Sequence, residues 1–191
     1  GGVSTKERFR LDEMMLALEV NINSHITHKD ADITIDNQLT SLAKTEITLF
    51  GNMQSLLGAI ANLIENSIHA CRENHLKGKL SDICVRFQMY DKESVIISVN
   101  DNGCGITESD KRHIFQPFFT TRARGTGLGL AVVNTIMQSF KGKINIESET
   151  SVGTTINLSL PCIVADSFAL DKSAADEAEF AFDTIQQVAG G

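Results

Sequence analysis

The sequence predicts an α+β fold, with helices packed on one face of a mostly antiparallel sheet. Three observations carry that expectation. Strand-like segments come in adjacent pairs across short polar turns, 82–91 with 94–101 and 142–149 with 153–161. Two long stretches, 52–74 and 129–140, space their apolar residues as helices do. Strands and helices do not alternate singly, so a doubly wound βαβ array is not indicated.

Taken in order, "FRLDEMMLALEVNINSH" places Leu11, Met14, Met15, Leu18 and Ile22 at helical spacing. "ADITIDN" alternates and predicts a strand. "NMQSLLGAIANLIENSIHACREN" predicts a long helix, ended by a turn around Gly78. "DICVRFQMYD" and "SVIISVND" form a hairpin across "DKE". A glycine-punctuated loop covers 101–129, and "GLAVVNTIMQSF" returns to helical spacing. "GKINIESE" and "GTTINLSLP" make a second hairpin, which Pro161 ends. From Ala165 the chain turns acidic and Ala-rich, either a docked helix or a frayed end. The expected division is an N-terminal helix over 1–29 (the start of the main domain or its linker), the main domain over 30–161, and an acidic tail over 162–191.

Composition bounds the function. The 191 residues are 42% hydrophobic and 21% charged, a globular balance with enough chain for a core. Seventeen basic against 24 acidic side chains leave a net charge of −7, which argues against a broad nucleic-acid surface. Cys71, Cys84, Cys104 and Cys162 form no CxxC pair, so they are expected to be reduced thiols in a cytoplasmic protein. No apolar run approaches the ~18 residues of a membrane span, and no signal peptide is visible. Gly1-Gly2 reads as an artificial scar, so the chain is expected to be a fragment that an anchor could precede.

The segment "NLIENSIHA" puts two mediocre helix formers, Asn62 and Asn66, one turn apart. With Asn66 at zero, Asn62 falls about 40° and His69 about 60° to one side, and Glu65 lies roughly 100° off. Leu57, Ile60, Leu63, Ile64 and Ile68 centre roughly 140° away, so core face and amide face are distinct. Such a stripe is either a plain solvated face or one that meets a ligand. An amide carbonyl is a hard, neutral oxygen that suits Mg²⁺, which binds nucleotide phosphates beside one or two protein ligands.

Two glycine motifs add to this. "DNGCGI" begins with Asp101 at the end of an apolar strand, where an ionised carboxylate is costly without a partner. The exocyclic amine of adenine is one such partner, and Gly103 and Gly105 would let backbone approach the base. An ordinary glycine turn is the plainer alternative. "GTGLGL" (125–130) opens the next helix, where free N–H groups favour an anion. It lacks the strand and acid of a dinucleotide fingerprint, and no P-loop motif occurs. Between the motifs, Phe115, Phe118 and Phe119 are expected to hold down a lid that carries Thr120, Thr121, Arg122 and Arg124 to the phosphates, an ordinary aromatic-anchored surface loop being the plainer reading.

The order "NLIENSIHA", "DNGCGI", "IFQPFFTT", "GTGLGL", "GTTINLSLP" resembles the N, G1, F, G2 and terminal glycine boxes of the histidine-kinase catalytic domain. That domain belongs to the superfamily of gyrase, Hsp90-type chaperones, histidine kinases and MutL. The resemblance covers about 30–161 and makes that stretch the ATP-binding catalytic domain. It implies a two-layer Bergerat-type sandwich, three main helices on a mixed, mainly antiparallel sheet. Asn66 resembles the Mg²⁺ ligand, Asn62 and His69 its phosphate-side neighbours, Asp101 the adenine-reading carboxylate, and Thr155 a hydroxyl sharing its bridging water. The remaining ATP contacts implied are Gly103, Gly105, Ile106, Phe119, Thr120, Thr121, Gly125, Thr126, Gly127, Leu128, Gly129 and Leu130. Asn62, Glu65, His69, Arg122 and Arg124 are the candidates for catalysis. "PFFTTR" resembles the lid of kinases that drive nitrogen and flagellar regulators.

Asn62 decides between two activities. ATP-hydrolysing relatives resemble one another in carrying Glu four residues before the metal-binding Asn, as a general base. An amide cannot be one, whereas an acceptor imidazole brings its own lone pair. The expectation is therefore transfer of the γ-phosphoryl group of Mg-ATP to a His, the alternative being an ATP-driven conformational module of the gyrase/MutL/Hsp90 type. None of His25, His28, His69, His75 or His113 has the HE-like context of the family's acceptor. The acceptor is expected on a separate dimerisation domain, with a response regulator as the further partner and no contact of this fragment with nucleic acid or membrane.

Overall fold

The computed structural model describes residues 6–25, 31–39, 45–75, 81–122 and 125–166. The elements run β1 (Glu7–Arg10), α1 (Leu11–His25), β2 (Ala31–Asn37), β3 (Thr45–Gly51), α2 (Met53–His75), β4 (Ser81–Met89) and β5 (Ser94–Asp101). They continue with α3 (Glu108–Lys111), α4 (Gly129–Ser139), β6 (Lys143–Glu149), β7 (Gly153–Pro161) and β8 (Ile163–Asp166).

The main sheet has the order β2-β4-β5-β7-β6, with only the β2–β4 pair parallel. Its inner face is apolar because alternate residues point the same way. Ile83, Val85 and Phe87 on β4, Val95, Ile97 and Val99 on β5, and Ile156, Leu158 and Leu160 on β7 are buried. The opposite face carries a polar row in register, including Asp36, Arg86, Ser98 and Asn157. Arg86 pairs with Asp36 at 2.7 Å, and Ser98 Oγ donates to Asn157 at 2.6 Å. This is the expected mixed, mainly antiparallel sheet with three main helices.

Helix α2 starts where Asn52 Oδ1 accepts the Ser55 N–H at 2.7 Å, an N-cap. Its apolar side, Leu56, Leu57, Ile60, Leu63, Ile64 and Ile68, is buried against the sheet and its neighbours. Each such side chain contributes about 1.5–3 kcal/mol. That burial outweighs the weak propensity of the asparagines on the other side.

Three strands and a helical turn lie where the sequence reading has none. β1, β3 and β8 form a separate antiparallel sheet. Glu7–Arg10 is strand, and the first helix begins at Leu11. β8 lies within the residues assigned to the tail, and pairs with β3 through Thr45↔Asp166 to Thr48↔Ile163. The turn α3 is capped by Thr107, whose hydroxyl accepts the Asp110 N–H at 3.2 Å. The turn around Gly78 and the tail from 167 onward lie outside the described residues.

Candidate functional site

Asp101 is the last residue of β5 and shares the inward parity of Ile97 and Val99, so its carboxyl points inward and is only 6% exposed. Ser67 Oγ on α2 donates to Oδ2 at 2.7 Å, and the Gly103 N–H donates to Oδ1 at 2.9 Å. Burial pushes its pKa above the ordinary carboxylate value, and hydrogen bonds from Ser67, Gly103 and the Thr154 main chain pull back without cancelling the rise. A buried acid in a cavity wall is a candidate for ligand recognition.

The polar side of α2 forms a second wall through Asn62, Glu65 and Asn66. The N-terminus of α4 lies against it: a Cβ built on Gly129 would sit 3.6 Å from Asn62 Oδ1 and 3.9 Å from Asn66 Nδ2. Leu128, the N-cap residue of α4, makes no side-chain cap, so the first-turn N–H groups are left to other acceptors. Arg122 donates to Asn66 Oδ1 at 3.0 Å and to its main-chain oxygen at 3.2 Å.

The segment before α4 closes the cavity with Phe119, Thr120, Thr121, Arg122, Gly125, Thr126 and Gly127. Gly127 has φ +66°, and a side chain there would overlap the backbone of Phe118. Phe118 is itself left-handed at φ +68° and donates its N–H to Gly127 O at 2.9 Å. Its ring is 76% exposed, so it does not hold the loop down as the sequence reading expects. Ile114, buried at 7%, lines the cavity nearby. Phe119 packs on His113 with ring centroids 5.8 Å apart. On the Asp101 side, Cys104, Gly105 and Ile106 complete the wall. Gly105 has φ +71°, and a side chain there would run into Glu149 O.

The result is one cavity of about 370 Å³. It brings together Asn62, Glu65, Asn66, Asp101, Gly105, Ile106, Phe119 to Arg122, Gly125 to Gly127, Gly129 and Leu130. It leaves out four sequence candidates among the described residues. His69 is exposed on α2, Leu128 is 40% exposed, and Gly103 is buried behind Asp101 against Ala70. Thr155 faces the other side of the sheet, where its hydroxyl accepts Asn100 Nδ2 at 2.6 Å. Its neighbour Thr154, 7% exposed and registered opposite Asp101, lines the cavity instead. Arg124 lies outside the described residues.

Sequence reasoning missed Thr154, Ser67, Cys104, Thr107, Asp110 and Ile114, all of which line the cavity. For Thr154 a signal existed: Ile156, Leu158 and Leu160 share its parity, whereas Thr155 shares that of Asn157 and Ser159.

Among the described residues, no three His, Cys, Asp or Glu cluster into a cation seat. Asn66 Oδ1, however, already receives a positive group, the Arg122 guanidinium. That chemistry fits a hard cation that takes one oxygen from the protein and the rest from phosphates.

Comparison with known proteins agrees with this geometry. Residues 51–163 match the model of the "Histidine kinase-, DNA gyrase B-, and HSP90-like ATPase" family. The chain belongs to that family. Sensor histidine kinase ZraS of Salmonella typhimurium is 34% identical over 150 residues, 75% of this chain and 31% of that protein. Sporulation kinase E of Bacillus subtilis is 36% identical over 100 residues, 52% of this chain and 13% of that protein. The catalytic domain of histidine kinase ThkA superposes with a TM-score of 0.65 at 27% identity, over 82% of this chain and 95% of that one. Within the family, then, the chain is of the ATP-binding catalytic type found in sensor histidine kinases. It spans less than a third of the length of the two curated relatives named.

Proposed function

We propose that this chain holds Mg-ATP in the cavity and presents the γ-phosphoryl group to a histidine on a separate dimerisation domain. The observation that carries the reading is the convergence on one cavity of a buried acid, an amide helix face and an uncapped helix N-terminus.

In this reading Asp101 accepts the exocyclic amine of adenine, and Thr154, rather than Thr155, supplies the neighbouring hydroxyl. Asn66 would hold Mg²⁺, and a bound Mg²⁺ would neutralise phosphate charge. The glycines and the first turn of α4 receive the phosphate oxygens. Arg122 leaves Asn66 and turns its charge to the γ-phosphate, with Arg124 as its neighbour in sequence. Asn62 binds and orients without acting as a base, and Glu65 is the lateral candidate for proton handling. The acceptor imidazole attacks phosphorus with its own lone pair, and ADP leaves. Catalysis is then positioning plus charge neutralisation. The amide at 62 favours this over hydrolysis of the gyrase type, where a Glu base activates water.

A response regulator is the proposed final acceptor. The four free thiols are in keeping with a cytoplasmic location, and no helix among the described residues is long and apolar enough to cross a membrane. The test is a thermal shift with Mg-ATP, Mg-ADP and Mg-GTP, followed by labelled phosphoryl transfer to an added His-bearing domain. Adenine nucleotides should raise Tm, since a ligand of the native state stabilises it. The chain alone should turn over essentially no ATP. Rapid hydrolysis without the added domain would favour the conformational-module reading.

A further inference from the structure

The inner face of the main sheet ends in a row that is polar where the rows before it are apolar. Two of the preceding cross-strand rows are Ile97–Leu158–Ile144 and Val99–Ile156–Ile146. The last is Asp101–Thr154–Ser148, one residue from each of three adjacent strands. Asp101 and Thr154 line the cavity. Ser148 stands behind Thr154 and is reached by neither the nucleotide reading above nor the sequence motifs.

Its contacts are many for a small side chain. Ser148 Oγ accepts the Ile106 N–H at 2.8 Å, lies 3.0 Å from the Gly153 carbonyl oxygen, and is 2.9 Å from Thr154 Oγ1. Its main-chain oxygen receives Lys111 Nζ at 2.6 Å. The proton count constrains the hydroxyls. A carbonyl can only accept, so Ser148 serves Gly153 only by donating its single proton there. Its two lone pairs then take the Ile106 N–H and the Thr154 O–H. Thr154, its proton spent on Ser148, turns only lone pairs toward the cavity. The wall beside Asp101 is thereby made of acceptors.

We infer that Ser148 is a positioning residue of the base subsite: it fixes the Thr154 hydroxyl as an acceptor and ties the Ile106 wall to the same point. Facing the 6-position of a purine, these acceptors favour a 6-amino group and oppose a 6-oxo group, whose oxygen would meet lone pairs. Ser148 thus sharpens the preference for adenine over guanine without touching the nucleotide. The inference rests on the nucleotide reading above, and its test separates the two.

The experiment is calorimetry of the whole chain with Mg-ADP and Mg-GDP. It compares the parent chain, Ser148→Ala, Ser148→Thr, Thr154→Val and the Ser148→Ala/Thr154→Val pair, with Tm recorded for each. Ser148→Ala should weaken ADP about three- to tenfold, the scale of one neutral hydrogen bond. It should also narrow the ADP-over-GDP ratio, because Thr154 regains a free proton. Ser148→Thr, which keeps the hydroxyl, should restore the ratio. On the Thr154→Val background the Ser148 change should leave the ratio as it is, since the group it acts through is gone. If Ser148→Ala does not fold, Ser148→Cys serves in its place with the same expected direction. A lowered Tm with an unchanged ratio would reduce Ser148 to a structural residue and overturn the inference. If the parent chain binds neither nucleotide, the nucleotide reading itself falls and takes the inference with it.

Discussion

The two ends of the cavity are built differently. The end proposed to hold the base is sheet and buried helix: Asp101 and Thr154 are 6% and 7% exposed and are tied to Ser67, Gly103 and Ser148. The end proposed to hold the phosphates is loop. Phe118, Thr120, Thr121 and Thr126 are exposed, and the loop reaches α2 through the Arg122 bonds to Asn66. The difference matches the proposed tasks. Reading a base needs fixed donors and acceptors, whereas phosphates and a metal carry enough charge to organise a looser wall. The base end is therefore expected to set selectivity and the phosphate end affinity and turnover.

The largest break should come from the metal side. Asn66→Ala removes the proposed metal ligand itself and should cost more than the roughly 10- to 100-fold that loss of a ligand's supporting partner costs. The loss should vanish when Mg²⁺ is chelated, and calorimetry with and without EDTA reads it. A smaller binding loss, of about 1.5–3 kcal/mol, is expected for Asp101→Asn. Here stability should move the opposite way. Folding raises the Asp101 pKa above its ordinary 3.8, so the folded state holds this proton more tightly than the unfolded chain. Asp101 therefore supports the fold only in acid, and its ionised form costs stability as pH rises through the folded value. Asp101→Asn should have a higher ligand-free Tm than the parent at pH 7, and the gap should narrow as pH falls through the raised folded value and be closed by about pH 4.

Gly127→Ala tests the loop. Its left-handed φ and the overlap with Phe118 should cost about 1–3 kcal/mol of local strain. If the phosphate end is as independent as its contacts suggest, nucleotide affinity should fall while the cooperative melting of the sheet changes little. The smallest and sharpest contrast is between neighbours. Thr154→Val should weaken ADP by about 0.5–1.5 kcal/mol, while Thr155→Val should leave it unchanged. Equal effects would undo the assignment of sheet faces.

The same contrast shows what the sequence made legible. Periodicity exposed α2, both hairpins and the inner face, because each is a local pattern. The β1–β3–β8 sheet was missed because its pairing is non-local: Thr45 meets Asp166, and two of its strands have four residues. For β3 the alternation of Ile47 and Leu49 was readable, but it had no neighbouring strand to pair with. At the site, the motifs located Asn66, Asp101, Gly105, Gly125, Gly127 and Gly129. They could not say which of two adjacent threonines faces inward, since a one-residue slip inverts a strand. Ser67 and Ser148 were invisible for the same reason: their importance lies in partners 34 and 6 residues away.

The central claim is that adenine nucleotide lies in this one cavity, base at Asp101 and metal at Asn66. Titrating the isotope-labelled chain with Mg-ADP and following backbone amide shifts by NMR tests it most directly. The account predicts that the largest changes cluster at Asn66, Ser67, Gly103, Ile106 and Gly127 through Gly129, and that those at Asn66 depend on Mg²⁺. Saturable binding whose shifts fall on the β1–β3–β8 sheet or the polar outer face, with these amides unmoved, would contradict it.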